Sequence, residues 1–199
     1  RLLQRGRALS ADAGGGSLVV SAPVSGGTVR IALSSPCRAR YSVRVDASAA
    51  APRRGARSVL SYGARGDGRT DDRAALQRAL DSLEPDETLV IPAGRVFAHA
   101  DILTIRVPGV RITGGGTLLA TDESRSEVRI AADRVVVDSL TLRTARTTRR
   151  WSSYEQMKLR IAPTTGVTVR DVTITGSAAA GVYVGGAARF RLERLTVRN

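Results

Sequence analysis

The sequence is poor in the residue types that build metal centres, disulfide frameworks and base-stacking surfaces. Its 199 residues include one cysteine, one histidine and one tryptophan, and aromatic residues make up 4% of the chain. A lone cysteine and a lone histidine exclude an internal disulfide framework and a cysteine–histidine zinc site. No apolar run approaches the roughly 18 residues of a membrane-spanning helix. The chain opens Arg1-Leu2-Leu3 without an initiator methionine or a signal peptide, as expected of a processed or excised segment.

Lysine is also nearly absent, because Lys158 is the only one and every other basic residue is arginine. With 31 basic and 18 acidic residues, the formal net charge is +13. Such a charge suggests a polyanionic partner. The few aromatic residues are not interleaved with the arginines, so a stacking platform for nucleic-acid bases is not predicted. A solvated arginine-rich surface is the simplest interpretation, and an anionic polysaccharide fits the charge as well as DNA does.

The first 46 residues contain three short stretches of alternating polarity, at 17–21, 28–33 and 41–46. Alternation with a period of two, punctuated by glycine clusters, predicts half-buried strands. We therefore expect residues 1–46 to be short strands, possible remnants of a small β domain. Residues 47–57 are rich in alanine, with proline and arginine, and predict a linker.

A change of pattern begins at residue 58. A short strand is predicted over 58–63 and a tight loop over 65–69. Thr70 is the expected N-cap of a helix whose apolar stripe runs from Ala75 to Leu83, and Pro85 would stop that helix. One amphipathic helix ahead of a long run of strands predicts a cap on the end of a β structure.

A repeat dominates the rest of the chain. Segments that start at Val135, Val167 and Phe190 share the pattern apolar-x-apolar-x-x-apolar-Thr-apolar, and a related segment starts at Val110. A repeat of roughly 20–30 residues with three short strands predicts a solenoid in which each coil buries its apolar face against its neighbours. The two residues inside the pattern, such as Asp138-Ser139, predict a sharp corner between sheets. The leucine-rich repeat is excluded because its leucine pattern is missing.

The segment SYGARGDGRTDDRAALQRAL (61–80), followed by LVIPAG (89–94), resembles the opening of the pectate-lyase-like superfamily. The resemblance covers roughly residues 58–199. It implies an all-β fold, a right-handed parallel β-helix with three sheets and an N-terminal capping helix, in a secreted or cell-surface protein. Polygalacturonases, pectate lyases, uronan epimerases and phage tailspikes share this opening, so it does not select a reaction. In this family Asp67, Thr70, Asp71 and Asp72 would serve as loop and cap residues.

The coils depart from the catalytic patterns of that superfamily. The signature elements of polygalacturonases are absent, as is an acidic cluster like the calcium site of pectate lyases. No catalytic residue, metal or cofactor is therefore predicted, and calcium is the ion to expect only for a lyase. Because the chain stops directly after a strand, we expect the C-terminally incomplete, N-terminal part of a longer protein, inactive by itself.

A substrate-binding surface is expected on the first strand of each coil, where the family binds its substrates. Outward residues of those strands and an insertion at 144–157 supply arginines, which pair with carboxylates, and aromatic rings, which stack on sugars. The predicted substrate-binding residues are Arg129, Arg149, Arg150, Trp151, Tyr154, Lys158, Arg160 and Tyr183. Trp151 fits equally well as a side chain packed against the solenoid. For any single arginine, solvation is the simpler role.

The functional hypothesis that follows is a carbohydrate-active β-helix protein that cleaves an acidic, uronate-type polysaccharide by hydrolysis or β-elimination. The alternative is a non-catalytic glycan-binding or surface-attachment β-helix. His99 is expected to be a surface or capping residue, because no serine or cysteine lies in a pattern that would use it as a base. The oligomeric state is not predicted.

Overall fold

The computed structural model describes residues 55–148 and 152–198, together with the backbone of Leu2–Gln4 and Arg7–Leu9. The chain divides into two units, Arg1–Ser48 and Ala49–Asn199. In the first unit, strands Leu2–Gln4 and Arg7–Leu9 pair antiparallel. The strands predicted at 17–21, 28–33 and 41–46 lie outside the described residues, as do Arg149, Arg150 and Trp151. None of the helices in the described residues is long and apolar enough to span a membrane.

The second unit consists of one helix and many short strands. The helix, α1, spans Arg73–Asp81. The strands in chain order, counting the two of the first unit, are β1 (Leu2–Gln4), β2 (Arg7–Leu9), β3 (Ala56–Ser58), β4 (Asp67–Asp71), β5 (Thr88–Val90), β6 (Val96–His99), β7 (Leu103–Ile105), β8 (Arg111–Thr113), β9 (Thr117–Ala120), β10 (Val128–Ile130), β11 (Val136–Thr144), β12 (Leu159–Ile161), β13 (Thr168–Thr175), β14 (Val182–Val184), β15 (Arg191–Glu193) and β16 (Thr196–Arg198).

Strands β3 to β16 stack into three parallel sheets that run along the coils. Sheet 1 has the order β7-β10-β12-β14. Sheet 2 contains β3, β5, β8, the first halves of β11 and β13, and β15. Sheet 3 contains β4, β6, β9, the second halves of β11 and β13, and β16. The registers place Val135, Val167 and Phe190 in one column, so the predicted three-sheet parallel β-helix is confirmed.

Two corners of each coil are fixed by the backbone. Between sheets 2 and 3, the residues in the left-handed region form one column with φ between +48° and +81°, namely Gly94, Gly115, Ser139, Asp171 and Arg194. A second column precedes sheet 2, with φ between +52° and +78°, namely Asp86, Gly109, Arg134, Gly166 and Arg189. Non-glycine residues keep such angles only where the surrounding structure enforces them. The stacked coils on either side therefore hold these turns, and the corner predicted at Asp138-Ser139 is present.

The third corner, between sheets 3 and 1, holds loops of unequal length. They span 100–102 in the first coil, 121–127 in the second, 145–158 in the third and 176–181 in the fourth. The insertion predicted at 144–157 therefore falls at this corner, between β11 and β12.

The interior is filled by the apolar, inward-facing side chains of the three sheets, and α1 closes one end. Leu76 and Leu80 of α1 are buried in the same core cluster as Leu103 and Ile105 of sheet 1. The Gln77 side chain donates to the Thr104 carbonyl at 2.9 Å and accepts from its N–H at 3.0 Å. The helix thus covers the edge of the first coil, as the capping-helix prediction requires.

Several local predictions at this end are wrong, among them the tight loop at 65–69, where strand β4 begins at Asp67. Residues 58–63 do not form a strand, because β3 ends at Ser58 and Val59–Tyr62 turn into a 3₁₀-helix that Ser58 caps. Strand β3 begins at Ala56, within the predicted linker. Thr70 is not the helix N-cap, because it lies in β4 and donates to Asp67. Asp72 occupies the cap position, but its carboxylate accepts the N–H groups of Arg65 and Gly66.

Candidate functional site

The outward face of sheet 1 carries a row of polar residues in register. Thr104, Arg129, Arg160 and Tyr183 pair directly from coil to coil. Adjacent strands lie about 4.8 Å apart, so the last three residues span about 10 Å along the helix axis. The Gln77 side chain of α1 hydrogen-bonds to the backbone carbonyl and N–H of Thr104, so the helix covers this end of the row. The accessible part of the row therefore begins at Arg129. The predicted alignment of Arg129, Arg160 and Tyr183 is therefore observed.

A buried carboxylate lies beneath this row. Glu127 is fully buried, and its two oxygens accept from Nε and Nη2 of Arg129, both at 2.8 Å. Nη1 of Arg160 lies 3.7 Å from Glu127 Oε1. The hydrogen bond to Glu127 raises the pKa of Arg129. Glu127 is not among the predicted substrate-binding residues; it lies at the end of the loop 121–127, directly before β10 and in register with Lys158.

Two tyrosines and Arg160 form an aromatic and cationic surface beside the carboxylate. The Arg160 guanidinium lies 5.0 Å from the Tyr154 ring centroid, and the Tyr154 and Tyr183 centroids are 5.2 Å apart at a tilt of 53°. These distances are typical of a cation–π contact and of a tilted aromatic pair. The Tyr154 hydroxyl raises the pKa of Tyr183. The two tyrosines come from different coils but lie side by side, and their role in substrate binding stays a prediction.

Polar contacts fix the loop that carries Tyr154. Tyr154–Gln156 form a 3₁₀-helix, and Ser153 and Gln156 make a capping box at its start. Arg125 of the loop below bonds to Glu155 at 2.8 Å and also to Asp101. Neighbouring loops of three coils are thereby joined, which orients the Tyr154 ring toward sheet 1.

Sheet 2 has a similar carboxylate but lacks the aromatic surface. Asp138 is buried, and its Oδ2 accepts from Arg170 at 3.1 Å and pairs with Arg111 at 2.5 Å. No aromatic ring pair or cation–π contact is found beside it in the described residues. The combination of arginine and tyrosine therefore distinguishes sheet 1 as the candidate site.

Lys158 is not part of this surface, and its prediction as an outward substrate-binding residue is wrong. Its side chain is fully buried, and Nζ donates to the Ser126 carbonyl at 3.1 Å. Burial lowers the pKa of Lys158 to about 7. The alternation of the strand fails here because Lys158 precedes β12 and lies in the corner between sheets 3 and 1. His99 is also buried, so its predicted surface position is wrong as well.

Within residues 55–148 and 152–198, no group of three or more His, Cys, Asp or Glu residues could hold a metal ion. The carboxylate nearest the row, Glu127, has both oxygens occupied by Arg129. Glycoside hydrolysis by paired carboxylates needs two such groups about 5 to 9.5 Å apart across the bond that breaks. The functional groups that the described face of sheet 1 offers are therefore those of arginine and tyrosine.

A known family matches the part of the chain that forms the capping helix and the first coils. Residues 56–148 match the family model described as rhamnogalacturonase A/epimerase, pectate lyase-like, which confirms the resemblance seen in the sequence. No curated protein sequence matches the chain significantly. A solved structure from Parabacteroides merdae, described as a "putative glycosyl hydrolase", matches with 13% identity and a TM-score of 0.45. The match covers 71% of this chain and 97% of the other.

Proposed function

We propose that this chain is part of a carbohydrate-active β-helix protein that binds an acidic, uronate-type polysaccharide across sheet 1. The observation that carries the proposal is Arg160, whose guanidinium lies over the Tyr154 ring while its buried Nε has no hydrogen-bond partner in the described residues. The matching family model, which is named for rhamnogalacturonase and epimerase, supports a polysaccharide as the ligand. The predicted location outside the cell stays a prediction.

The two arginines of the row differ in what they can offer a ligand. Arg129 directs two of its donor nitrogens to Glu127. Arg160 makes only the longer, 3.7 Å contact with Glu127, so its planar fork keeps donors for a carboxylate. The rings of Tyr154 and Tyr183 lie next to that fork and supply apolar faces for the sugar rings. The carboxylate of one uronate unit would thus bind Arg160, while its sugar ring contacts the adjacent tyrosines.

We propose hydrolysis or β-elimination of that polysaccharide as the reaction, with the described coils binding substrate. A second candidate, a non-catalytic glycan-binding β-helix, is supported by Glu127. Both of its oxygens accept from Arg129, so neither is left to contact a glycan on the face of sheet 1.

The test is calorimetric titration of native protein, Arg160→Gln and Arg143→Gln with polygalacturonate oligomers. Arg143 is an exposed arginine of sheet 3, so its replacement removes the same charge away from the site. We expect Arg160→Gln to weaken binding at least about tenfold, since a hydrogen bond to a charged group contributes about 1.5–3 kcal/mol. Arg143→Gln should retain native affinity. Equal losses in both variants would show that net charge, and not the site, attracts the polymer.

The two candidate functions are separated by analysing the products after the protein has been incubated with polygalacturonate. New reducing ends without unsaturated sugars indicate hydrolysis, and unsaturated products indicate β-elimination. Saturable binding with unchanged polymer length supports the non-catalytic candidate.

A further inference from the structure

The corner between sheets 3 and 1 contains buried polar groups that the proposed site does not use. His99, Ala120 and Thr144 form one column on consecutive coils at the end of sheet 3. His99 and Thr144 are buried, and neither His99 Nε2 nor Thr144 Oγ1 has a hydrogen-bond partner in the described residues. Buried polar atoms without partners are rare, and each calls for an unseen partner such as an ordered water.

Lys158 enters the same corner from the third coil. Its Nζ donates to the carbonyl of Ser126, which belongs to the coil below. The Lys158 charge also contributes to lowering the pKa of His99, which lies one coil further down. The bond to Ser126 places the lysine ammonium group at the level of the second coil, one coil from His99. An ammonium group has three donors, and the structure assigns one of them to Ser126.

The chemistry of His99 defines what can lie between the two side chains. Its Nδ1 is 2.8 Å from the carbonyl oxygen of Asp101, which can only accept, so Nδ1 carries the proton. Burial, followed by the nearby Lys158 charge, lowers the pKa of His99 to about 3, so the ring is neutral and Nε2 presents a lone pair. A ligand must therefore donate to His99 and accept from Lys158. A metal cation or a simple anion such as chloride cannot do both.

We propose that Lys158, His99 and Thr144 form an internal water site in this corner. One water can donate to His99 Nε2, accept from Lys158 Nζ and donate its second hydrogen to Thr144 Oγ1. Buried waters typically make about three such bonds to polar groups that otherwise lack partners. Ala120, which carries only a methyl group, separates the histidine and threonine levels of the column. The site joins His99 of the first coil to Thr144 and Lys158 of the third, the two residues that stand at the start and the end of the loop that carries Tyr154.

The test combines a high-resolution crystal structure of the chain with NMR of the His99 ring. We expect a density peak within hydrogen-bonding distance of His99 Nε2 and Lys158 Nζ, and a cross-peak between the ring protons of His99 and water. The cross-peak should be lost in Lys158→Met and weakened in Thr144→Val. Thr141→Val is the matched control, because Thr141 lies on the same strand and faces outward, and it should leave the cross-peak unchanged.

Two outcomes would overturn the proposal. The first is a direct bond from Lys158 Nζ to His99 Nε2 with no intervening density. The second is an empty corner in which His99 Nε2 shows the ¹⁵N shift of an unbonded ring nitrogen. If Lys158→Met does not fold, Thr144→Val and its control still decide the question, since neither changes a charge.

Discussion

Replacing Lys158 with methionine is expected to stabilise the β-helix at neutral pH. The native side chain is fully buried, and burial lowers its pKa from the ordinary 10.5 to about 7. At about 1.36 kcal/mol per pH unit, this difference corresponds to about 5 kcal/mol of unfavourable free energy for the charged form. Methionine keeps a long apolar stem but leaves the Ser126 carbonyl unbonded, which costs about 1–3 kcal/mol. The net expectation is a stabilisation of roughly 2–4 kcal/mol at pH 7.

The change of the unfolding free energy with pH tests this prediction more specifically than its value at pH 7. Between pH 7 and 10.5 the unfolded chain binds a proton at Lys158 that the folded chain has released. The free energy of unfolding should therefore rise with pH across this window, and the contribution of Lys158 should level off on either side. In Lys158→Met this rise is absent, so the advantage of the variant over native protein should shrink as the pH approaches 10.5.

The measurement is urea unfolding of both proteins at several values between pH 6 and 10.5, followed by circular dichroism. Arg143→Met controls for the loss of one exposed positive charge and should keep the native slope. A pH slope that persists unchanged in Lys158→Met would refute the reasoning, because it would assign the titration to another group.

Two further predictions concern single residues of the scaffold. Native protein should lose stability as the pH falls from 6.5 to 3, because the unfolded chain binds a proton at His99 that the folded chain, with a His99 pKa of about 3, does not. His99→Leu removes this group, so the variant should lose less stability over the same range. Acid unfolding curves of both proteins measure the difference. Gly114→Ala should destabilise more than Gly63→Ala in urea unfolding. Both glycines have positive φ, which costs alanine about 1–2 kcal/mol. Only at Gly114 would the new Cβ overlap the Ile91 backbone, for about 1–3 kcal/mol more. Equal costs would contradict the overlap.

The coil architecture was predictable because it depends on periodic apolar positions. Val135, Val167 and Phe190 occupy the same position of the repeated pattern. Because the coils stack in register, residues at the same position lie in one column. The start of the second unit was harder to predict. Ser58-Val59-Leu60 reads as a strand, yet Ser58 caps a 3₁₀-helix through its side chain, and local capping outweighs β propensity there.

The site was predictable only in part, because alternation fails at the corners. Arg129, Arg160 and Tyr183 lie inside strands and face outward as expected. Lys158 precedes a strand, so the alternation of side chains along a strand did not predict whether it points inward or outward. One signal was nevertheless present in the composition. In a chain whose other cations are all arginine, the lone lysine is the only cationic side chain that can lose its proton on burial, since arginine stays charged.

The fixed turns on two corners have a consequence for how such a scaffold diversifies. With those turns locked, the chain can gain or lose residues chiefly where sheet 3 passes to sheet 1, as the unequal loops already show. Residues added there project beside Arg129 and Arg160 without disturbing the stack. Replacing the loop between Thr144 and Lys158 with the loop of a related protein should therefore change ligand preference, while the coils and their melting temperature stay unchanged.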